Sequence, residues 1–388
     1  MAIRDGSSSS GQSTATGPSS FCENIVPGLE TIARGVDITK FDLLHDYGVD
    51  ASDGFAENLF DFTCRKFRKL TIGGKEYDVP DQIQNIKNIE QQESTVPQTS
   101  EVRLFEDFRI LKNHLSSAVG LGRTSAKGWF SETQSLSHFQ RIMINSSYSL
   151  VTMEATLPLF TVNMPSKLPL RRYLSEFLSD YLEQELPESY ESDPTRYLDF
   201  LKTYGTHYFR TTTLGGSIKF WSEVEPVLKN GLPSGQLQAK AQSLYENLLV
   251  NFGVSDGNTD NSLDDFSMAL MKSTHARVYG GDTSLYRTRG FKAWKDSLVK
   301  DPKLVSGLLS PITDLVKDNN KRQQLSKAID IYLAMAYLQE SRRLLQVYLI
   351  VLPIKVKENI ENLMKRIDAI QSMEIATYDT VKQLLDQL

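Results

Sequence analysis

Residues 201–221 read LKTYGTHYFRTTTLGGSIKFW, with a histidine between a small hydroxyl residue and a tyrosine where helical composition gives way to strand composition. Residues 194–204 carry a helical pattern. The run after them is rich in Thr, Ile, Phe and Trp, which suit a pleated surface, and is interrupted by Gly215-Gly216. His207 invites a catalytic reading, and the sequence argues against it. Acid–base or nucleophilic chemistry needs a partner within reach, and the neighbouring Thr206 would point to the opposite face if both lay on a strand. No nucleophile elbow, phosphate-binding glycine loop or HExxH run occurs. His45, His114, His138, His207 and His275 lack metal-ligand spacing. We therefore expect no enzyme, no metal and no cofactor, and a structural role for His207.

The chain of 388 residues is long enough for two or three domains and a large core. At 40% hydrophobic and 23% charged residues it reads as globular, and a net charge of -5 gives no reason to expect nucleic acid as a partner. The most apolar run, LLQVYLIVLPI at 344–354, is too short to span a bilayer as a helix and holds Gln346 and Pro353; we expect a buried core segment. Residues 1–20 are rich in Ser, Gly and Thr and read as a disordered tail without a visible secretory signal. Cys22 and Cys64 are either one disulfide or two free buried thiols, and composition leaves both open.

Along the chain, short strands and turns come first, with IGGK at 72–75 as a hairpin turn, then a polar loop at 91–100 and an alternating strand at 147–164. An amphipathic helix is expected over 168–185, where Leu170, Tyr173, Leu174, Phe177, Leu178, Tyr181 and Leu182 share a face. After the opening stretch come a Gln/Ala/Leu-rich segment at 235–252, an acidic loop at 255–265, and a strand ending in Gly280-Gly281. The remainder from about 291 reads as mostly helical, which makes the whole a mixed α+β chain with one wide sheet.

YGTHY at 204–208, TTTLGGSI after it, VYGGD at 278–282 and FKAWKDSLVKDPKLVSGLLSPITDLV at 291–316 resemble, in order and spacing, the membrane-attack-complex/perforin (MACPF) family over roughly residues 27–340. The resemblance implies an α+β fold with a bent, largely antiparallel four-stranded sheet of the MACPF/cholesterol-dependent-cytolysin kind, flanked by two helical clusters. Those clusters fall at about 114–146 and 234–272, within a domain of 21–340 followed by a helical C-terminal extension at 341–388. It implies that Tyr204, Gly205, Thr206, His207 and Tyr208 close the turn from helix into sheet, His207 holding the corner by hydrogen bonds. It also implies a secreted or vesicular soluble monomer that forms a homo-oligomeric ring on membrane lipids, with or without a partner protein or receptor. Each helical cluster would then become a transmembrane β-hairpin. The resulting reading is a pore-forming immune effector or toxin, and its alternative is a non-lytic adhesive or developmental binding protein.

A segment that is helix in water and strand in lipid has to satisfy two periods. Leu237, Ala241, Leu244, Leu248 and Phe252 recur at helical spacing, while Leu237, Ala239, Ala241, Ser243 and Tyr245 alternate with polar residues, as do Val250, Phe252 and Val254. In the first cluster Val119 and Leu121, then Ile142 and Ile144, alternate around a polar middle that holds Trp129 and Phe130. The sequon at Asn145 is a candidate glycosylation site at the edge of this cluster. Asp256, Asp260, Asp264 and Asp265 would each cost about 2.5–3.5 kcal/mol in hydrocarbon when ionised, so acid is expected to speed insertion unless the loop crosses through water. Gly215-Gly216 and Gly280-Gly281 are candidate hinges, or equally static close contacts. Val356, Ile360, Leu363, Ile367 and Ile370 describe a helix packed on its own domain.

Overall fold

Alternation of side chains fixes the centre of the molecule. From Val151 to Leu157 buried residues alternate with half-buried ones, the pattern of a strand with one face on a core. The computed structural model describes residues 22–44, 54–72, 74–89, 98–99, 102–122, 128–166, 170–251, 253–254, 264–371 and 378–386. The tail at 1–20, His45, Phe252, Asp256 and Asp260 lie outside the described residues.

The strands are β1 (Arg34–Val36), β2 (Phe55–Asn58), β3 (Lys69–Ile72), β4 (Lys75–Asp78), β5 (Asn85–Asn88), β6 (Gln98–Thr99), β7 (Arg103–Phe105), β8 (Ser149–Asn163), β9 (His207–Val224), β10 (Thr274–Tyr279) and β11 (Lys303–Pro311). The helices are α1 (Phe108–Ala118), α2 (Gln134–Asn145), α3 (Glu176–Asp180), α4 (Pro194–Tyr204), α5 (Pro226–Lys229), α6 (Ser234–Asn251), α7 (Asp265–Lys272), α8 (Thr283–Ser297), α9 (Asn319–Val351), α10 (Ile354–Gln371) and α11 (Tyr378–Leu385).

The main sheet is four antiparallel rows. β5, β6 and β7 follow one another along the outer edge of β8. β8 pairs with β9 from Ser149↔Val224 to Asn163↔Thr211. β10 and β11 share the far edge of β9, at Ser217–Ser222 and His207–Gly215 respectively. Near His207, β1 joins β9 and is itself paired by β2. The first helical pair, α1 and α2, lies between the first and second rows; α5, α6 and α7 lie between the third and fourth. The hairpin at IGGK joins β3 to β4, and Cys22 is bonded to Cys64, closing a separation of 42 residues.

Four expectations are corrected. The helix over 168–185 is broken, because Leu174 is drawn into a bridge with Phe60 and Ser175 donates its N–H to the Leu59 carbonyl. Ser175 then caps α3, and Phe177 is left 81% exposed. The segment after 291 is mostly helical, as expected, but it also contains β11, because the His207–Gly215 edge of β9 is buried and its backbone groups need partners. The first cluster begins at Phe108, where Asp107 caps α1. Finally, the run 344–354 is not core: α9 stops before Pro353, and Ile350 and Ile354 stand 79% and 78% exposed at the corner between α9 and α10. Residue 340 lies within the unbroken α9.

Candidate functional site

The corner at 204–208 is built from backbone geometry. Gly205 closes α4 with φ 79°, and a Cβ there would sit 2.6–2.7 Å from the Val36 backbone. Thr206 donates its N–H to the Val36 carbonyl at 2.8 Å, its hydroxyl accepts from Ile38 N–H at 3.2 Å, and its own carbonyl accepts from Ile312 N–H at 3.0 Å. One residue thus ties together the ends of β1, β9 and β11. His207 Nδ1 is hydrogen-bonded to Thr206 Oγ1 at 2.9 Å. This corrects the argument from strand alternation, since Thr206 precedes β9 and its side chain is not bound by that rule. Nearby, Asp37 accepts from Tyr332 Oη of α9 at 2.7 Å and pairs with Lys40 at 3.0 Å. Tyr208 is buried beside Phe60.

Burial pushes His207 down to about 4 from 6.5, with the Asp37 charge opposing. The unfolded chain therefore takes up this proton at a higher pH than the folded one. The sign follows: stability is complete above about pH 6.5 and falls as pH drops toward 4, by about 3 kcal/mol from this group. Urea midpoints between pH 7 and 4.5 should show the loss. His207→Asn, which keeps a hydrogen-bonding side chain, should flatten the slope; an unchanged slope would refute the assignment.

The two glycine pairs meet at one place. A Cβ on Gly215 would overlap the Leu157 carbonyl oxygen, and one on Gly216 would overlap Leu298. Gly280 and Gly281, at φ 84° and 60°, lie against the Gly215 oxygen and Ser297 Oγ, with Cβ distances of 2.6 and 2.5 Å. Trp294 Nε1 donates to the Gly280 carbonyl at 2.7 Å, and Ser297 Oγ accepts from Asp282 N–H. Beside this knot both neighbours of β9 carry an irregularity: Leu159 is extra on β8 and Val305 is extra on β11. Bulges of this kind bend and twist a sheet, so close packing and curvature coincide there.

At the other end of the sheet four strand ends come within two residues of one level. Phe105 pairs with Leu150, Ser149 with Val224, and Ser222 with Thr274. The chain leaves this line twice and returns twice, through residues 106–148 and 225–273. Tyr245 of α6 fastens the second excursion. Its ring stacks on Phe220 at 5.5 Å, and its hydroxyl donates to the Val151 carbonyl at 3.2 Å. Ser222 Oγ lies 2.6 Å from Tyr245 Oη and 2.7 Å from Thr274 Oγ1. Gln242 Oε1 also accepts from Val102 N–H, just before β7. In the first excursion His138 of α2 reaches Glu223 at 3.2 Å.

The proposed lipid-facing residues are distributed accordingly. Val119, Leu121, Leu237, Ala241 and Val254 are buried in the helical arrangement, Ile142, Ile144 and Val250 are half-buried, and Ala239 is exposed. Asn145 ends α2. Asp264 caps α7 and is held down to about 2, chiefly by its hydrogen bond from the Lys240 ammonium. Mild acid therefore leaves Asp264 ionised while the Lys240 contact is intact. The anchoring trio Tyr245, Ser222 and Thr274 was not legible as a unit. Its only signal was a bulky aromatic ending the run of small residues Ala239, Ala241 and Ser243 on one strand face. Among the described residues no helix is long and apolar enough to cross a membrane.

The MAC/Perforin domain family matches residues 20–342. The Perivitellin-2 67 kDa subunit of Pomacea canaliculata is 31% identical over 323 residues, covering 83% of this chain and 55% of that protein. Complement component C7 of Homo sapiens is 26% identical over 223 residues, covering 51% of this chain and 25% of that protein. The chain thus spans about half the length of the perivitellin relatives it matches. The crystal structure of GNIP1Aa from Chromobacterium piscinae shares the fold, with a TM-score of 0.59 at 17% identity over 80% of this chain and 57% of that one. On the sheet, the corner at 204–208 and this family match together, the chain belongs to the MAC/Perforin family.

Proposed function

We propose that the chain is a pore-forming effector or toxin, released as a soluble monomer and assembling as a ring of copies on a target membrane. The observation that carries the reading is that Phe105, Ser149, Val224 and Thr274 end their strands within two residues of one level. Extending those four strands past the line produces two antiparallel hairpins in register with the existing sheet. Residues 106–148 and 225–273 each supply more than the ~9–11 residues per strand that a tilted membrane crossing needs. Membrane lipids are the first partner and further copies of the chain the second. Catalysis has no part in this reading. The parts that insert are the two clusters, and the helical residues at 341–388 form the extension.

The test is a cysteine scan of the second cluster on liposomes. Each residue from Gln236 to Ser243 is changed singly to cysteine, labelled with an environment-sensitive dye and read in solution and on vesicles, alongside dye release and negative-stain microscopy. Blue shifts are expected on vesicles at 237, 239, 241 and 243 and not at the positions between, replacing a helical period in solution. A helical period that persists on vesicles without leakage or rings would favour the non-lytic binding protein.

A further inference from the structure

The first cluster is held by an element outside the sheet. Glu340, on α9, is 4% exposed, and three parts of the cluster converge on its carboxylate. The Lys112 ammonium of α1 forms an ion pair with Oε2, Ser131 Oγ donates to the same oxygen at 2.7 Å, and Gln140 Nε2 of α2 donates to Oε1 at 3.5 Å. Lys112 Nζ also donates to Ser131 Oγ at 3.3 Å and lies over the Tyr337 ring at 5.9 Å. One turn further along α9, Arg343 donates to the Ser131 carbonyl. Toward the start of α9, Gly128 is pressed so closely on the Leu333 carbonyl that a side chain there would overlap it. Ser131 and Gln140 are 2% and 5% exposed, so these contacts sit out of water. Burial lowers the Lys112 pKa, and the Glu340 charge opposes that shift.

A buried charge without its partner is strongly unfavourable, more so than the pair is favourable. α1 cannot straighten into a strand without drawing Lys112 away from Glu340, and the loop before α2 cannot follow without breaking the Ser131 contacts. The second cluster is fastened differently, by Tyr245 on β8 and β9.

We infer that Glu340 is an autoinhibitory catch: α9 keeps the first cluster folded in the soluble chain, and that cluster opens only when α9 yields. The consequence for insertion rests on the pore-forming reading, whereas the catch itself is measurable in water.

The experiment is hydrogen exchange on the full chain carrying Glu340→Gln, which keeps volume and an acceptor for Ser131 but leaves Lys112 without its counter-charge. Amides of 108–118 and 134–145 should exchange roughly 100-fold faster, with those of 234–251 unchanged. In Lys112→Met/Glu340→Gln, which removes both charges, exchange of the first cluster should return to within about tenfold of the parent. Unchanged exchange at 108–118 in Glu340→Gln would overturn the inference. Equal loss at 234–251, or no recovery in the double variant, would overturn it too, since the contact would then be general stability and not a catch. Dye release on the same proteins separates the two readings. Selective loosening with no leakage from any variant would retain the catch and reject the pore.

Discussion

Gly215→Ala is expected to destabilise the chain by about 4 kcal/mol. The added methyl would overlap the Leu157 carbonyl oxygen in the neighbouring strand, and the obstructing atom is backbone that cannot rotate away. Relief would require β8 and β9 to part at the point where Gly280 is also seated, 2.6 Å from the Gly215 oxygen by its own added Cβ. Valine should prevent folding altogether. The control is Gly235→Ala: this glycine lies in the first turn of α6 with nothing near its added Cβ, and alanine there should be neutral or stabilising by up to about 1 kcal/mol. Urea unfolding of both variants decides the matter. Equal midpoints would mean that the knot is loosely packed and that the glycines serve as hinges.

Tyr245→Ala is expected to cost about 4 kcal/mol, in the range found for buried aromatic truncations. The side chain is fully buried, stacked on Phe220, and hydrogen-bonded to both central strands. Its removal leaves a cavity between α6 and the sheet and takes a partner from Ser222. Tyr245→Phe should cost about 1 kcal/mol, the contribution of a hydroxyl whose neighbours retain each other through Ser222 and Thr274. Denaturant midpoints give the totals, and exchange at 234–251 gives the location. If alanine accelerates exchange in 108–118 as strongly as in 234–251, the two clusters are fastened as one unit.

Much of the fold was legible because the information was local. Alternation marked β8, a helical pattern over 194–204 marked α4, and the glycine pairs stood out as either hinges or close contacts. The family pattern supplied the order of the rows. What local pattern hid were features decided by distant partners. β11 looked helical because only the unpaired edge of β9 makes it a strand. Leu174 fitted a helical stripe until Phe60 claimed its backbone. The run at 344–354 looked like core because apolarity says nothing about where a helix turns a corner. Glu340 and Lys112 are 228 residues apart, and each alone reads as an ordinary surface charge. The bond of His207 to Thr206 was missed because the strand was assumed to start one residue early.

Both clusters have a footing on the sheet, through His138 on Glu223 and through Tyr245 on β8 and β9, and the first has α9 as a further one; on the pore-forming reading that extra fastening would make the molecule a coincidence detector. If each fastening fails spontaneously about once in a hundred encounters, independent failures make joint release roughly one in ten thousand, because uncoupled free energies add. On the pore-forming reading, a stimulus that lifts only α9 would leave the second hairpin shut, and a half-open copy would contribute a gap to a ring. On that reading premature discharge would be suppressed by multiplication, without either fastening needing to be strong.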